Sequence, residues 1–581
     1  MMKRISQKLK KWRLALVIAA IASYAFFSFS FTDNYFEISK NLDIFATTLR
    51  ELDLYYVDTI QPGDLVKTGI DAMLASLDPY TDYIPESEIE DYRFMTTGEY
   101  GGIGALIQQD SSFIEISEPY EGAPAQKAGL KAGDKILKVD GISLAGKSTS
   151  DVGKLLKGQP GTPVDLEIVH AGTQSPVNIS LVREDIKVNN VPYYGMISDN
   201  VGYIRLTEFT NDAGNNVKNA LIALEKNKNL KGVILDLRNN PGGLLNEAVN
   251  VVNVFEPKGQ LVVNTLGRIK DMNHSDLTQT EPVDTKIPLV ILVNNGSASA
   301  SEIVTGTVQD LDRGVIIGTR TYGKGLVQQT RPLTYNAQLK FTIAKYYIPS
   351  GRCIQALDYS HRNADGSVSK VPDSLKSAFR TLHGRVVYDG GGIDPDIKIK
   401  SPAYKQITIK LLTPPQYLIF NYATQYVQDH QAAPATPDKF TLSDADYDKF
   451  VQFVKNSSFN YTTKSETLLQ QLKENTQNEK YYNDLKESYS KISDDIEQAK
   501  MNALYKDKDE IKQALEAEIM SRYYYEKGRI EVNLKYDSTV TEGIEIVNQP
   551  ARYDSILSTI VPATRPFHNP SQSNWTPEAK K

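Results

Sequence analysis

The chain has 581 residues, 23% of them charged, and its 65 Lys and Arg against 71 Asp and Glu give a formal net charge of -6. That length provides for about three or four domains, and the near balance of charge supplies no basic field to draw nucleic acid. A single cysteine, Cys353, excludes an internal disulfide and a cysteine zinc site, and the 6 histidines lack ligand spacing, so no metal site is expected.

Lys3, Arg4, Lys8, Lys10, Lys11 and Arg13 precede an uncharged stretch from Leu14 to Phe31. It is long enough for a short membrane span or a long signal core. The positive flank is expected to stay cytoplasmic, which puts the remainder outside, on the periplasmic side of a cell envelope. Ala22-Ser-Tyr-Ala25 is a poor small-x-small cleavage site followed by Phe26 and Phe27, so residues 1–32 read as a retained signal-anchor in preference to a cleaved signal peptide. From 33 to 96, Ile38, Leu42, Phe45, Leu49 and Leu52, then Val66, Ile70, Met73 and Leu74, recur at helical spacing. This segment reads as two or three small helices for packing or for a homo-oligomer contact, with a turn at Asp78-Pro-Tyr-Thr-Asp82.

Between about 97 and 185 the pattern changes to short strands. Phe113 to Ser117, Lys135 to Val139, Thr162 to Ile168 and Val177 to Val182 alternate or run apolar, with an Asp140-Gly141 hairpin signal. Two short helices, one opened by Ala123-Pro124 and one from Ser150 to Leu156, fit between them. This stretch resembles a PDZ domain: Gly102-Ile103-Gly104-Ala105 looks like its carboxylate loop and Ala128-Gly-Leu-Lys-Ala-Gly-Asp134 like its internal signature. In such a loop, glycine-exposed backbone N–H groups hold a peptide's terminal carboxylate while the peptide adds a strand to the sheet edge.

From 186 to 402 strands and helices alternate, which argues for parallel βαβ units. Gly202 to Leu206, Gly232 to Asp236 and Leu289 to Val293 read as strands; Asp212 to Lys226 and Gly242 to Phe255 read as helices. In Asp236-Leu-Arg238-Asn-Asn240-Pro241-Gly242-Gly243, Asn240 reads as a helix N-cap and Pro241 as first-turn proline. The two glycines allow backbone N–H groups close to a ligand, as an oxyanion hole requires. Asp236 and Arg238 read as an ion pair bracing the loop.

The run Pro288 to Asn294 breaks at Asn295-Gly296 and enters a helix at Ser297-Ala-Ser299-Ala300-Ser301-Glu302. A serine hydroxyl at a strand end and helix mouth is a place for a nucleophile, with the positive helix end stabilising nearby negative charge. Ser299 to Glu302 also fits an ordinary capping box, and spacing alone leaves Ser297, Ser299 and Ser301 open. Lys324, in Gly323-Lys-Gly325, can serve as base if burial holds its amine neutral. Beyond about 403, helical periodicity with charged outer faces covers Tyr447 to Val454, Thr467 to Glu474, Asp484 to Met501 and Lys508 to Tyr525. Arg529 to Lys535 reads as a late strand, and residues 563–581 as a disordered tail.

Together these motifs resemble the C-terminal processing peptidases, the tail-specific protease family. The resemblance rests on Asp236-Leu-Arg-Asn-Asn-Pro-Gly-Gly243, Gly296-Ser-Ala-Ser-Ala-Ser-Glu302 and Thr321-Tyr-Gly-Lys-Gly325 with Gln328. It implies a multidomain α/β protein: a ClpP- or crotonase-like ββα core with an inserted PDZ domain, an N-terminal helical segment and a C-terminal helical region. It also implies a serine endopeptidase without cofactor that selects protein or peptide substrates by their C-termini. By resemblance Ser299 is the nucleophile, Lys324 its base, Gln328 a support for the lysine, and Ala300 with a glycine of the Gly242–Gly243 pair the oxyanion donors. Tyr322 stands where the family usually has phenylalanine. The competing expectation is a non-catalytic, membrane-tethered adaptor that binds protein C-termini.

Overall fold

The computed structural model describes residues 35–567, apart from 111–112, 364, 401–403, 458, 560–561 and 566. The apolar stretch from 14 to 31 and the tail from 568 lie outside the described residues. No helix among the described residues is long and apolar enough to cross a membrane. The chain divides after Tyr83 into two units. In the first, residues 35–55 form one helix and Pro62–Ala75 another. The Phe45 ring lies against Gly69, 3.5 Å from where a Cβ would stand, and Tyr35, Phe36, Ile38 and Leu42 are exposed. Asp78 shapes the expected turn by accepting the N–H groups of Tyr80 and Thr81 at 2.8 and 2.9 Å.

The second unit is built on a six-stranded sheet in the order Tyr193–Met196, Val201–Arg205, Gly232–Asp236, Leu289–Val293, Gly314–Gly318 and Ile397–Lys398. Its first pair is antiparallel and the rest are parallel. Near-continuous runs of Val, Ile and Leu in the central strands require cover on both faces. Helices Ala213–Glu225, Leu245–Phe255 and Ala300–Asp310 cover one face with Val217, Val252 and Val304. The other face is closed by the far end of the chain: Val540, Ile546 and Val547 of helix Ser538–Asn548 and Tyr553 of helix Pro550–Ser558 pack on Ile234, Val290 and Val315. The Tyr553 hydroxyl bonds both the N–H and the carbonyl of Leu289, at 3.0 and 3.1 Å. Burying those three aliphatic side chains contributes on the order of 5 kcal/mol, so the last helices are part of the α/β body.

A second, antiparallel sheet sets Gln338–Tyr347 between Leu326–Pro332 and Leu261–Gly267, with His274–Leu277 beyond the latter. The β-rich module forms as expected. Its strands run in the order Ala105–Asp110, Phe113–Pro119, Lys135–Val139, Pro163–Val169 and Val177–Val182 around buried Ile116, Val139, Val152 and Ile168. Asp140 and Gly141 take φ of 49° and 77° in the two-residue hairpin. Glu99–Gly102 pairs with Glu184–Lys187 as a two-stranded stem through which the chain enters and leaves the module.

The C-terminal region is helical at Asp444–Asn456, Lys464–Asn478, Tyr482–Lys506 and Lys508–Lys535, the last broken into two limbs by a kink at Tyr525, φ 53°. The strand expected at Arg529 to Lys535 is instead the end of the last of these helices. Its alternating apolar residues are buried on two sides: Val532 joins Ala517 and Met520, whereas Ile530 and Leu534 turn to the sheet cluster. A helix packed on both sides mimics a strand's period.

Candidate active site

The strand Leu289–Val293 delivers the chain to Ser299 at the mouth of helix Ala300–Asp310. Ser299 has φ 54° and ψ -113°, a conformation that costs a non-glycine residue about 1–3 kcal/mol and persists only where its surroundings fix it. Those surroundings use up the other two serines. Buried Ser297 donates its hydroxyl to the Leu237 carbonyl at 2.8 Å, and buried Ser301 donates to the Asn240 carbonyl at 2.9 Å. Of the three, Ser299 alone lines the open cleft.

That cleft, about 260 Å³, brings together Ser299, Ala300, Gly243, Lys324 and Gln328. The Lys324 loop is sewn to the Ser299 turn by one residue that the sequence marked only as part of a capping box. Glu302, fully buried, accepts the N–H of Ser299 at 2.9 Å, of Gly323 at 2.7 Å and of Lys324 at 2.8 Å, and the Thr321 hydroxyl at 2.5 Å. Ile393 donates its N–H to that hydroxyl at 2.6 Å, which leaves Thr321 to donate onward. Burial pushes the Glu302 carboxyl up to about 7 against the pull of those four donors. No cation is among them; the paired donors define its role as a clamp between two loops.

Gly323, at φ 92°, makes the bend that lets Lys324 and Gln328 share the cleft; a Cβ there would stand 2.4 Å from that of Ala356. Strand Leu326–Pro332 is also bulged between Val327 and Gln328, and the Gln328 amide donates to the Thr342 hydroxyl at 3.2 Å. Apolar walls come from Leu245, Ile303, Leu326 and, from helix Ile89–Thr97, Met95. The Tyr346 hydroxyl donates to the Ser299 carbonyl at 3.3 Å, and the Tyr92 and Thr330 hydroxyls are bonded at 2.5 Å.

The loop after Asp236 departs from the sequence expectation. The helix starts at Leu245, not at Gly242, and Asn240 is no N-cap. Gly242 and Gly243 have φ of 101° and 143°, which no helix accepts. Asn240 is buried and instead shapes the loop, donating to the Leu206 carbonyl and accepting the Gly242 N–H, both at 2.9 Å. The Gly242 N–H is therefore spent inside the loop, and the Gly243 N–H has no partner among the described residues. Phe209 holds Gly243 on both sides, donating its N–H to the Gly242 carbonyl and accepting that of Leu244, at 2.9 and 2.8 Å. The Ala300 N–H, first in its helix, has no intrahelical acceptor. Gly242 backs directly onto this point: a Cβ would lie 2.9 Å from the Ala300 nitrogen.

Behind the loop Asp236 is fully buried, 2.5 Å from Arg238, 2.9 Å from Arg205, and accepts the Tyr203 hydroxyl at 2.7 Å. The expected brace is present, with two guanidiniums instead of one. In the β-rich module, Gly102 lies in the stem opposite Glu184, so it is the Ile103-Gly104-Ala105 turn that leads into Ala105–Asp110. That strand is at the edge of its sheet, where an added strand can pair. Gly104 has φ 70°. Among the described residues no group of three or more His, Cys, Asp or Glu is placed to hold a metal.

Residues 200–360 match the family described as Peptidase family S41, 115–169 match the PDZ domain, and 407–547 match the C-terminal helical domain of probable PDZ-proteases. A carboxy-terminal-processing protease of Bartonella bacilliformis is 38% identical over 330 residues, 56% of this chain and 75% of that one. A probable CtpA-like serine protease of Staphylococcus aureus is 31% identical over 412 residues, 69% and 75% of the two chains. Among solved structures, the photosystem II D1 C-terminal processing protease is 28% identical, covering 61% of this chain and 86% of its own, with a TM-score of 0.33.

Proposed function

The chain belongs to peptidase family S41, a serine-type peptidase with a PDZ domain and a C-terminal helical domain, and on that premise we propose that Ser299 and Lys324 form its catalytic dyad. The observation that carries this reading is their shared cleft, with the loops of both bonded to the single carboxylate of Glu302. In the reaction, uncharged Lys324 takes the Ser299 hydroxyl proton as the oxygen attacks the scissile carbonyl carbon. The oxyanion rests on the N–H groups of Gly243 and Ala300. Collapse breaks the C–N bond and the leaving amine takes the proton from Lys324; Lys324 then deprotonates a water that attacks the acyl-enzyme, and the proton passes to the Ser299 oxygen as the ester C–O bond breaks. The step requires the amine uncharged, which expulsion of water by a bound peptide favours.

Substrates are polypeptides whose C-terminal residues pair with the edge strand Ala105–Asp110, the terminal carboxylate lying on the backbone of Ile103, Gly104 and Ala105. The positively flanked Leu14 to Phe31 stretch supports action at the outer face of a cell membrane. A serine-directed fluorophosphonate tests the chemistry. Expected is one label, on the peptide containing Ser299, lost in Lys324→Ala; a parent protein that takes no label, or takes it elsewhere, would overturn the assignment.

A further inference from the structure

The C-terminal helices contribute one carboxylate to the back of the oxyanion loop. Asp537 caps helix Ser538–Asn548, accepting the N–H groups of Thr539 and Val540 at 2.9 and 3.2 Å. Its other oxygen lies 2.6 Å from the terminal nitrogen of Arg238 that also meets Asp236 at 2.5 Å. Arg238 Nε reaches both Asp236 oxygens at 3.0 Å. With Arg205 also on Asp236, loss of the Asp537 charge leaves Arg238 sharing the Asp236 carboxylate with a second guanidinium.

Arg238 leads directly into Asn239, at φ 58°, whose N–H is accepted by Asn294 at 2.9 Å, and then through Asn240 to Gly242 and Gly243. Behind this turn is a cavity of about 350 Å³ lined by Arg205, Arg238, Asn239, Asn294 and Asp537, sharing no lining residue with the Ser299 cleft. Here polar bonds take the place of packed side chains in fixing the backbone.

We propose that Asp537 is a positioning residue for the peptidase reaction, setting the Asn239–Gly243 backbone through Arg238 and so the aim of the Gly243 N–H. Turnover then depends on the C-terminal helices being seated on the sheet, because the residue that caps their first turn also grips the loop. The inference rests on the reading of Gly243 as an oxyanion donor.

Full-length Asp537→Asn keeps a good N-cap and loses the charge. Expected is a fall in kcat of about ten-fold, less than the loss from deleting an oxyanion donor, with KM within about two-fold. Turnover is counted per fluorophosphonate-labelled site, so misfolded protein does not enter. A peptide aldehyde, whose serine adduct carries the oxyanion, is expected to bind more weakly by the same factor as kcat falls, and Asp537→Glu to restore most of both. Parental turnover per labelled site in Asp537→Asn, or aldehyde affinity unchanged while kcat falls, would overturn the proposal. Failure of the dyad is told apart by Ser299→Ala, which would then cleave at the parental rate.

Discussion

The Glu302 carboxylate accepts the backbone N–H of Lys324 at 2.8 Å and, through the same oxygen, that of Ser299 at 2.9 Å. Two loops from separate parts of the sequence are thereby held at a fixed spacing by one side chain. Glu302→Gln keeps the shape but turns an amide NH₂ toward N–H donors, a mismatch of about 1–3 kcal/mol at a buried site. Loosened spacing is expected to lower kcat by roughly ten- to hundred-fold, measured on a peptide substrate with the thermal midpoint recorded beside it.

The same residue gives stability a pH dependence. Burial raises the Glu302 carboxyl from 4.5 to about 7, so between those values the folded state holds a proton that the unfolded state releases. Its contribution is fully present below 4.5 and lost as pH rises through about 7, on the order of 3 kcal/mol. Asp236 has the opposite sign. Burial raises it, but Arg205 and Arg238 outweigh burial and hold it well below the usual range, so its contribution is lost only as pH falls below 3.8. From pH 5 to 8 the parent is therefore expected to lose more stability than Glu302→Gln in parallel denaturant titrations.

Gly242 stands against Ser299. An alanine Cβ there would lie 2.8 Å from that of Ser299 and 2.7 Å from the Ala298 carbonyl, on a backbone at φ 101°. Gly242→Ala is expected to fold with a lowered midpoint and to lose at least about ten-fold in kcat by displacing Ser299.

Much of this was legible in the sequence because it depends on local rules. The apolar runs at Gly232 to Asp236 and Leu289 to Val293 are the buried strands their composition suggests, whereas the helix expected from Gly242 starts only at Leu245. Which of Ser297, Ser299 and Ser301 keeps its hydroxyl at the cleft is not legible from spacing, since it depends on the carbonyls of Leu237 and Asn240, about 60 residues away in sequence, accepting the other two hydroxyls. Glu302 read as a helix cap because a capping box and a loop clamp use the same residue at the same position. Asn240 differs from its expected role for a related reason: Asn before Pro suits an N-cap, but the positive φ of both glycines forbids helix. The seating of Val540, Ile546 and Val547 on the sheet joins segments hundreds of residues apart, which no local pattern reveals.

The proposed peptide capture makes a test of the turn before Ala105–Asp110. Gly104 is at φ 70°, and a Cβ would fall 2.3 Å from that of Ala123. Gly104→Ala is expected to weaken binding of a fluorescent peptide with a free apolar C-terminus by about ten-fold or more, as the carboxylate loop shifts. The amide-capped peptide is expected to bind weakly to both proteins, which anisotropy titration will show.

The most direct measurement compares kcat for the parent, Ser299→Ala and Lys324→Ala on an unfolded protein with an apolar C-terminus, at matched folded fractions. The account predicts that each substitution removes cleavage almost entirely, by a factor of about 10³ or more, and that the double variant is no worse than either alone, as for groups acting as a unit. Parental rates in either single variant would contradict it.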